Sequence, residues 1–341
     1  MQYELKTQII EPVRHTFDHV AARYGDKPAT RYQEGTIDLQ PTENFHYRPT
    51  WDPEHELYDA DYSALKLTDP YSFTDPRQYF YTPYVTNRAQ MHDAFGKTLD
   101  YVSSHNLFDR TPEDWKRLIG EVVIPLRHYE SGCQMIYSGG ARFSYGATIS
   151  QCCVYEGFDR VGNAQLISRV GITLGEQTSS VLASAKSLWM EHQAWQPLRR
   201  YTEEALVEKD WAVGVIASDL IDKLLDTLIY RHLDEEALIG GAGAYSLLAQ
   251  HVGTWYKDHR KWLDGLYKAW LADPELGEAN KAVFSDIVNT WLPRAVEAVG
   301  AIAEHADEIV DTKAADGLQA RAEEIAAEYA ALGLNVEKEQ A

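Results

Sequence analysis

Cysteine is nearly absent from this chain of 341 residues, which holds three in all. Cys133 and the adjacent Cys152 and Cys153 cannot build a disulfide framework, and their apolar helical context reads as buried structural thiols. Basic residues are also scarce: 32 Lys and Arg stand against 52 Asp and Glu, a formal net charge of −20. That deficit argues against nucleic acid as a partner, since a nucleic-acid binder needs a basic footprint, and against attraction to a membrane surface. No run approaches the roughly 20 apolar residues of a membrane span. Residues 1–6 lack the charged-then-apolar pattern of a secretory signal, so the expected location is cytoplasmic. Strand-like alternation is missing as well. What is present is ordinary globular material, 45% hydrophobic and 25% charged, long enough to bury a substantial core.

Residues 28–84 are built differently from everything after them. They hold seven of the 13 prolines and twelve of the 39 Phe, Trp and Tyr residues. Prolines 28, 41, 49, 53 and 70 fix φ and remove amide donors, so no long helix fits between them. Tyr32, Phe45, Tyr47, Trp51, Tyr58, Tyr62, Tyr71 and Phe73 carry more apolar area than a flexible linker would. The segment reads as an ordered, extended arm lying on its own helical body or on another subunit.

Elsewhere the period is helical. A first helix is expected over 12–24, stopped by Gly25. Asp75-Pro76 reads as an N-cap with Pro at the first helical position, opening a helix to about 106 that Pro83 bends. Thr111-Pro112-Glu113-Asp114 reads as a second start. Helical spacing continues over 115–175, with breaks near Pro125 and at Gly139-Gly140. Further helices fit 179–189, 197–207, 210–233, 244–271, 274–306 and 314–332. In the segment 210–233, Asp219, Asp222, Lys223 and Asp226 form one narrow stripe on an otherwise apolar cylinder, the mark of a helix buried nearly all round. The Ala/Glu-rich stretch after 311 reads as a solvated helix. The expected fold is all-α, with residues 1–75 as first helix and arm, 76–310 as the bundle and 311–341 as a helical tail.

Long helices raise the question of a carboxylate-bridged di-iron site, which takes a Glu from each of two helices and Glu-x-x-His from two others. One such motif occurs, Glu43-Asn44-Phe45-His46, and it sits in the Pro-rich arm without a second copy. In the apolar stretch around 159, Asp159 is acidic but Gly162 stands three residues on, where a histidine would be needed. A salt bridge from Asp159 to Arg160 or Arg169 is the expected use of the acid. His15 and His19 share a helical face and read as surface histidines; Glu191-His192 and His259 have no partner at ligand spacing. Gly240-Gly241-Ala242-Gly243-Ala244 lacks the Lys-Ser/Thr of a phosphate loop. No nucleophile elbow or Cys–His pairing is evident. Catalytic, cofactor-binding and metal-ligating residues are therefore all expected to be none.

Several stretches carry a resemblance: Arg14-His15-Thr16, residues 25–34, Asn44-Phe45-His46-Tyr47-Arg48-Pro49, Trp51-Asp52, Asp75-Pro76-Arg77-Gln78, Pro125-Leu126-Arg127-His128, Ile149-Ser150-Gln151, Asp159-Arg160, residues 195–199 and Asp210-Trp211. On these the chain resembles the β (small) subunit of the hydroxylase component of soluble bacterial multicomponent di-iron monooxygenases, of the phenol, toluene and alkene types. The resemblance implies a ferritin-like helical bundle without a metal site of its own. It implies as partners a catalytic α subunit holding the di-iron centre, a second β copy, a small γ subunit in some members, a coupling protein, and an NADH-dependent reductase with FAD and 2Fe-2S. The implied reaction inserts one O₂ oxygen into a hydrocarbon, by aromatic hydroxylation or alkene epoxidation. The arm, the segment 210–233 and the first helix are the expected subunit contacts, with Glu43 and His46 as contact residues. Two other readings stay open from the residues alone: a self-sufficient ferritin-like metal oxidase, and a helical adaptor unrelated to oxygenases.

Overall fold

The apolar spacing that begins near residue 81 organises the molecule. The computed structural model describes residues 18–25, 27–37, 40, 48, 50 and 52–337, and among them every regular element is helical. Two short helices, α1 (Asp18–Tyr24) and α2 (Arg31–Thr36), precede α3 (Tyr81–Ser104), α4 (Glu113–Leu118), α5 (Leu126–Phe143) and α6 (Ala147–Leu174). Then follow α7 (Ser180–Glu191), α8 (Gln196–Val207), α9 (Trp211–Thr227), α10 (Leu233–Ile239), α11 (Gly243–Leu271), α12 (Gly277–Ile309) and α13 (Ala314–Ala331).

Helix α9 is the axis of the core. It packs against α5, α8, α12 and α13, and all but one of its residues from Trp211 to Asp226 are buried, Asp219, Asp222, Lys223 and Asp226 among them. Its side chain at Asp210 caps the first turn by accepting from the Ala212 amide at 2.9 Å. Its own chain covers α9, so within the expected contact segment 210–233 only Arg231, beyond the end of the helix, is exposed.

Several boundaries differ from the sequence reading. Asp75-Pro76 does not start a helix: Asp75 holds the Arg77 amide and guanidinium in a turn, and α3 begins at Tyr81. Pro83 then lies in the first helical turn, where a missing N–H costs nothing and no bend follows. Before α4, Thr111 bonds back to the Leu107 carbonyl instead of capping. Helix α5 runs straight through Gly139-Gly140; a Cβ at Gly140 would lie 3.0 Å from Cys153 Sγ, so this glycine lets α6 approach. The break comes instead at Gly146, whose φ is +120° and whose Cβ would sit 2.5 Å from the Pro70 carbonyl oxygen. Ahead of Pro125 the helix widens to one i→i+5 turn over Ile119–Val123. Proline removes the usual bond to Glu121, and the freed carbonyl accepts from Trp195 Nε1 at 3.0 Å.

The described part of the arm lies on its own helical body. Tyr62 stacks on Phe143 at 4.8 Å, and Tyr62, Leu65 and Phe73 are part of the main core. Its backbone is tied down by side chains of the bundle: Asp210 accepts from Ala64 N, Asn280 brackets Lys66, and Asp273 accepts from both Thr68 N and Thr68 Oγ1. A capping box of Thr30 and Gln33 starts α2 inside a stretch expected to be extended. Helix α13 is likewise no solvated tail: Leu318, Ala322, Ile325 and Tyr329 are buried, and Glu328 pairs with Lys223 of α9 at 3.0 Å.

Candidate functional site

Where α5, α6, α9 and α11 meet, the core turns ionic. Arg160 of α6 is fully buried, yet its guanidinium meets three carboxyls from three helices. Its Nε donates to Glu156 Oε1 at 2.8 Å and its Nη1 to Asp222 Oδ1 at 3.0 Å; Nη2 donates to Asp222 Oδ2, and Glu130 Oε2 lies 3.4 Å from Nη1. The rings of Tyr137 and Trp255 flank the cation at 5.3 and 5.0 Å. Tyr129 donates its hydroxyl to Asp222 at 2.9 Å. His259 of α11 lies against Glu156, Nδ1 to Oε2, at 2.7 Å.

Burial and partners split the carboxyls. Burial alone would push Glu130 and Glu156 up. For Glu130 burial wins over the attraction of Arg160, and its pKa rises to about 7. For Glu156 burial is outweighed by His259 and Arg160, which hold the carboxyl below its ordinary range. The three thiols are buried and form no disulfide, with burial pushing each pKa up; Cys152 lies against Arg77. Their burial agrees with the expected placement in apolar helical context.

A second ionic cluster is built on the neighbouring residue Asp159, on another side of α6. Asp159 accepts from Arg88 Nε at 2.8 Å and Nη2 at 2.7 Å, from Tyr84 at 2.7 Å and from Trp255 Nε1 at 3.0 Å. Its cation thus comes from α3, not from Arg160 or Arg169 as expected. Gly162 faces the same way, and a Cβ there would meet the His92 imidazole of α3 at 3.0 Å. The Asp159–Gly162 pair therefore points toward α3, while Glu156 and Arg160 face the four-helix centre. A third cluster joins α9 to α11 and α13: Asp219 pairs with Arg260, accepts from Tyr267 at 3.0 Å and lies 3.4 Å from the Tyr329 hydroxyl of α13.

Other sequence candidates resolve plainly. His259, read as unpartnered, finds Glu156 across the core, 103 positions away in sequence. His192 Nδ1 accepts from the Ala194 amide, a local turn bond. Gly240 and Gly241 form the turn between α10 and α11, where a Cβ at Gly240 would collide with Trp115 at 2.3 Å. Glu43, His46 and His15 lie outside the described residues. Glu130 was missed by sequence reading; its only signal is a carboxylate one residue from Tyr129 on an otherwise apolar helical face.

Among the described residues no three His, Cys, Asp or Glu side chains converge as a metal site. The donor set around Arg160 does not fit a di-iron centre, because the guanidinium occupies the space between the carboxyls. This is a helical bundle of ferritin-like class with an organic cation at its centre. The family model described as Methane/Phenol/Alkene Hydroxylase matches residues 51–274. The phenol 2-monooxygenase oxygenase component DmpL of Pseudomonas sp. strain CF600 is 37% identical over 307 residues, 90% of this chain and 92% of that protein. The small subunit of the propane 2-monooxygenase hydroxylase of Mycolicibacterium goodii is 25% identical, over 80% of this chain and 77% of that one. A crystal structure of phenol hydroxylase from Pseudomonas sp. OX1 superposes with a TM-score of 0.88 at 35% identity, covering 98% of this chain and 99% of that one. The chain belongs to this hydroxylase family, as a small-subunit member of the di-iron monooxygenase hydroxylases.

Proposed function

We propose that this chain is the non-catalytic structural β subunit of its hydroxylase, bracing a partner α subunit that holds the di-iron centre. The observation that carries the reading is the centre itself, where Arg160 fills the space between Glu130, Glu156 and Asp222. The assembly would include a second β copy, a coupling protein and an NADH-dependent reductase with FAD and 2Fe-2S, and a small γ subunit where the member of the family has one. The reaction class is insertion of one O₂ oxygen into a hydrocarbon. The phenol hydroxylase relatives at 35 and 37% identity favour an aromatic substrate over an alkene.

With α9 enclosed, the arm and the first helix stay as proposed contacts and α3 and α6 add a further surface. Tyr81 and Val85 of α3 and Phe158 and Val161 of α6 are exposed, Phe158 at 56%, on neighbouring helices. Apolar area of this kind is what an obligate interface covers. Purification from the native host, followed by separation of the chains, tests both points. Iron should follow a larger partner, and Phe158→Asp with Val161→Asp should release that partner while leaving the helical content unchanged. Stoichiometric iron on this chain alone, or an intact complex with the double variant, would overturn the respective claim.

A further inference from the structure

Three helices each bring one carboxyl to the Arg160 guanidinium, Glu130 from α5, Glu156 from α6 and Asp222 from α9, and a fourth, α11, sets His259 beside Glu156 and Asp222. All are buried, and His259 is fully so. Its Nδ1 is engaged with Glu156, but its Nε2 has no hydrogen-bond partner and points to within 3.8 Å of Asp222 Oδ2. Carboxylates and an imidazole arriving from four helices are the donor types a bundle uses to hold metal. Here the positive charge among them is covalently attached to α6.

We propose that the Arg160 guanidinium is a built-in replacement for a metal ion, and that removing it turns Glu130, Glu156, Asp222 and His259 into a site for one divalent transition-metal ion. Carboxyls this deeply buried cannot all ionise without a cation among them. A guanidinium meets the need because its planar fork binds two carboxylates at once. The same fork holds the acids apart, so that they do not converge on a smaller ion. Truncation at Cβ leaves the carboxyl oxygens and the free Nε2 around a space that a metal with carboxylate and imidazole ligands can fill. The inference concerns this chain alone and stands whether or not the subunit reading does.

The test uses the full-length chain and Co²⁺ as probe, read by calorimetric titration and by the visible bands of the coordinated ion. The native chain and Arg160→Lys should bind no ion in the core. Arg160→Ala should bind one Co²⁺ per chain and melt at a higher temperature with it than without. Adding His259→Ala to that variant should weaken binding by roughly tenfold or more. If Arg160→Ala folds only when refolded with Co²⁺, the proposal is also supported. A folded Arg160→Ala that takes no Co²⁺, or tight Co²⁺ binding that survives loss of His259, overturns it. Should Arg160→Ala fail to fold with or without the ion, the metal claim falls. The charge claim is then read from Arg160→Met combined with Glu156→Gln and Asp222→Asn, which must fold if compensation is the role of the cation and refutes that role if it does not.

Discussion

Residues 52–80 and helix α9 are fixed to the same body by opposite means. The arm has almost no regular structure, so its backbone amides are satisfied one at a time by side chains of the bundle, as when Asp273 takes Thr68 and Asp210 takes Ala64. It contributes apolar rings: Tyr62 and Phe73 enter the core. Helix α9 satisfies its backbone internally and is free to carry charge inward, with Asp219 and Asp222 both buried and both paired with arginine. An irregular segment thus supplies hydrophobic anchoring while a regular one supplies the polar interior. Regularity and apolarity are separate properties, each needed only where backbone or side chain lacks a partner.

The largest break in this comparison should come from the ionic side. Arg160→Leu leaves Glu156 and Asp222 buried without their cation, an expected loss of about 3–5 kcal/mol in urea unfolding. Restoring neutrality with Glu156→Gln and Asp222→Asn should recover much of it. On the arm, Phe73→Ala should cost about 3 kcal/mol by the same measurement, since a buried ring is lost from the main core. A cost near zero would show that the arm only rests on the surface. For the same reason deletion of residues 1–75 should destabilise the whole chain and not merely its assembly.

Smaller effects sharpen the contrast. Glu130 carries a pKa raised from 4.5 to about 7, so the folded state binds more protons than the unfolded state across that window. Its contribution is complete below about 4.5 and is lost as pH rises through about 7. Glu130→Gln should flatten the stability profile between those values; an unchanged slope would mean the carboxyl titrates normally. Asp273 behaves in the reverse sense. Despite some desolvation, its bonds to Thr68, Leu276 and Glu275 hold its pKa down at about 2. Its contribution is present above the ordinary carboxylate value and disappears as pH falls through about 2. Asp273→Ala should cost about 1 kcal/mol at neutral pH, the scale of a lost helix cap, and should loosen hydrogen-exchange protection at Thr68 first.

Much of the helix layout was readable because period 3.6 persists through α5 to α13. The buried character of α9 followed from its narrow polar stripe. Errors cluster where a neighbour decides the outcome: Gly139-Gly140 looks like a break until Cys153 packs against it, and Asp75-Pro76 looks like a cap until Arg77 claims the carboxylate. The ionic centre was hardest to see. Local spacing pairs Asp159 with Arg160 or Arg169, yet its partner is Arg88, 71 positions earlier; His259 has no ligand-spaced partner, yet Glu156, 103 positions before it, lies against it. No spacing rule reaches that far.

The amino-acid sequence by itself determined the helical class, the Pro and aromatic character of the arm, and the absence of a paired Glu-x-x-His set, since these are properties of local conformation and residue type. Only the tertiary structure decided that the acids of four helices surround one guanidinium, because the packing of α5, α6, α9 and α11 brings together groups that the chain keeps far apart. It also decided that the described arm lies on its own body. Both choices come from the same requirement: every buried charge and every buried amide must find its partner, and those partners are distant in sequence.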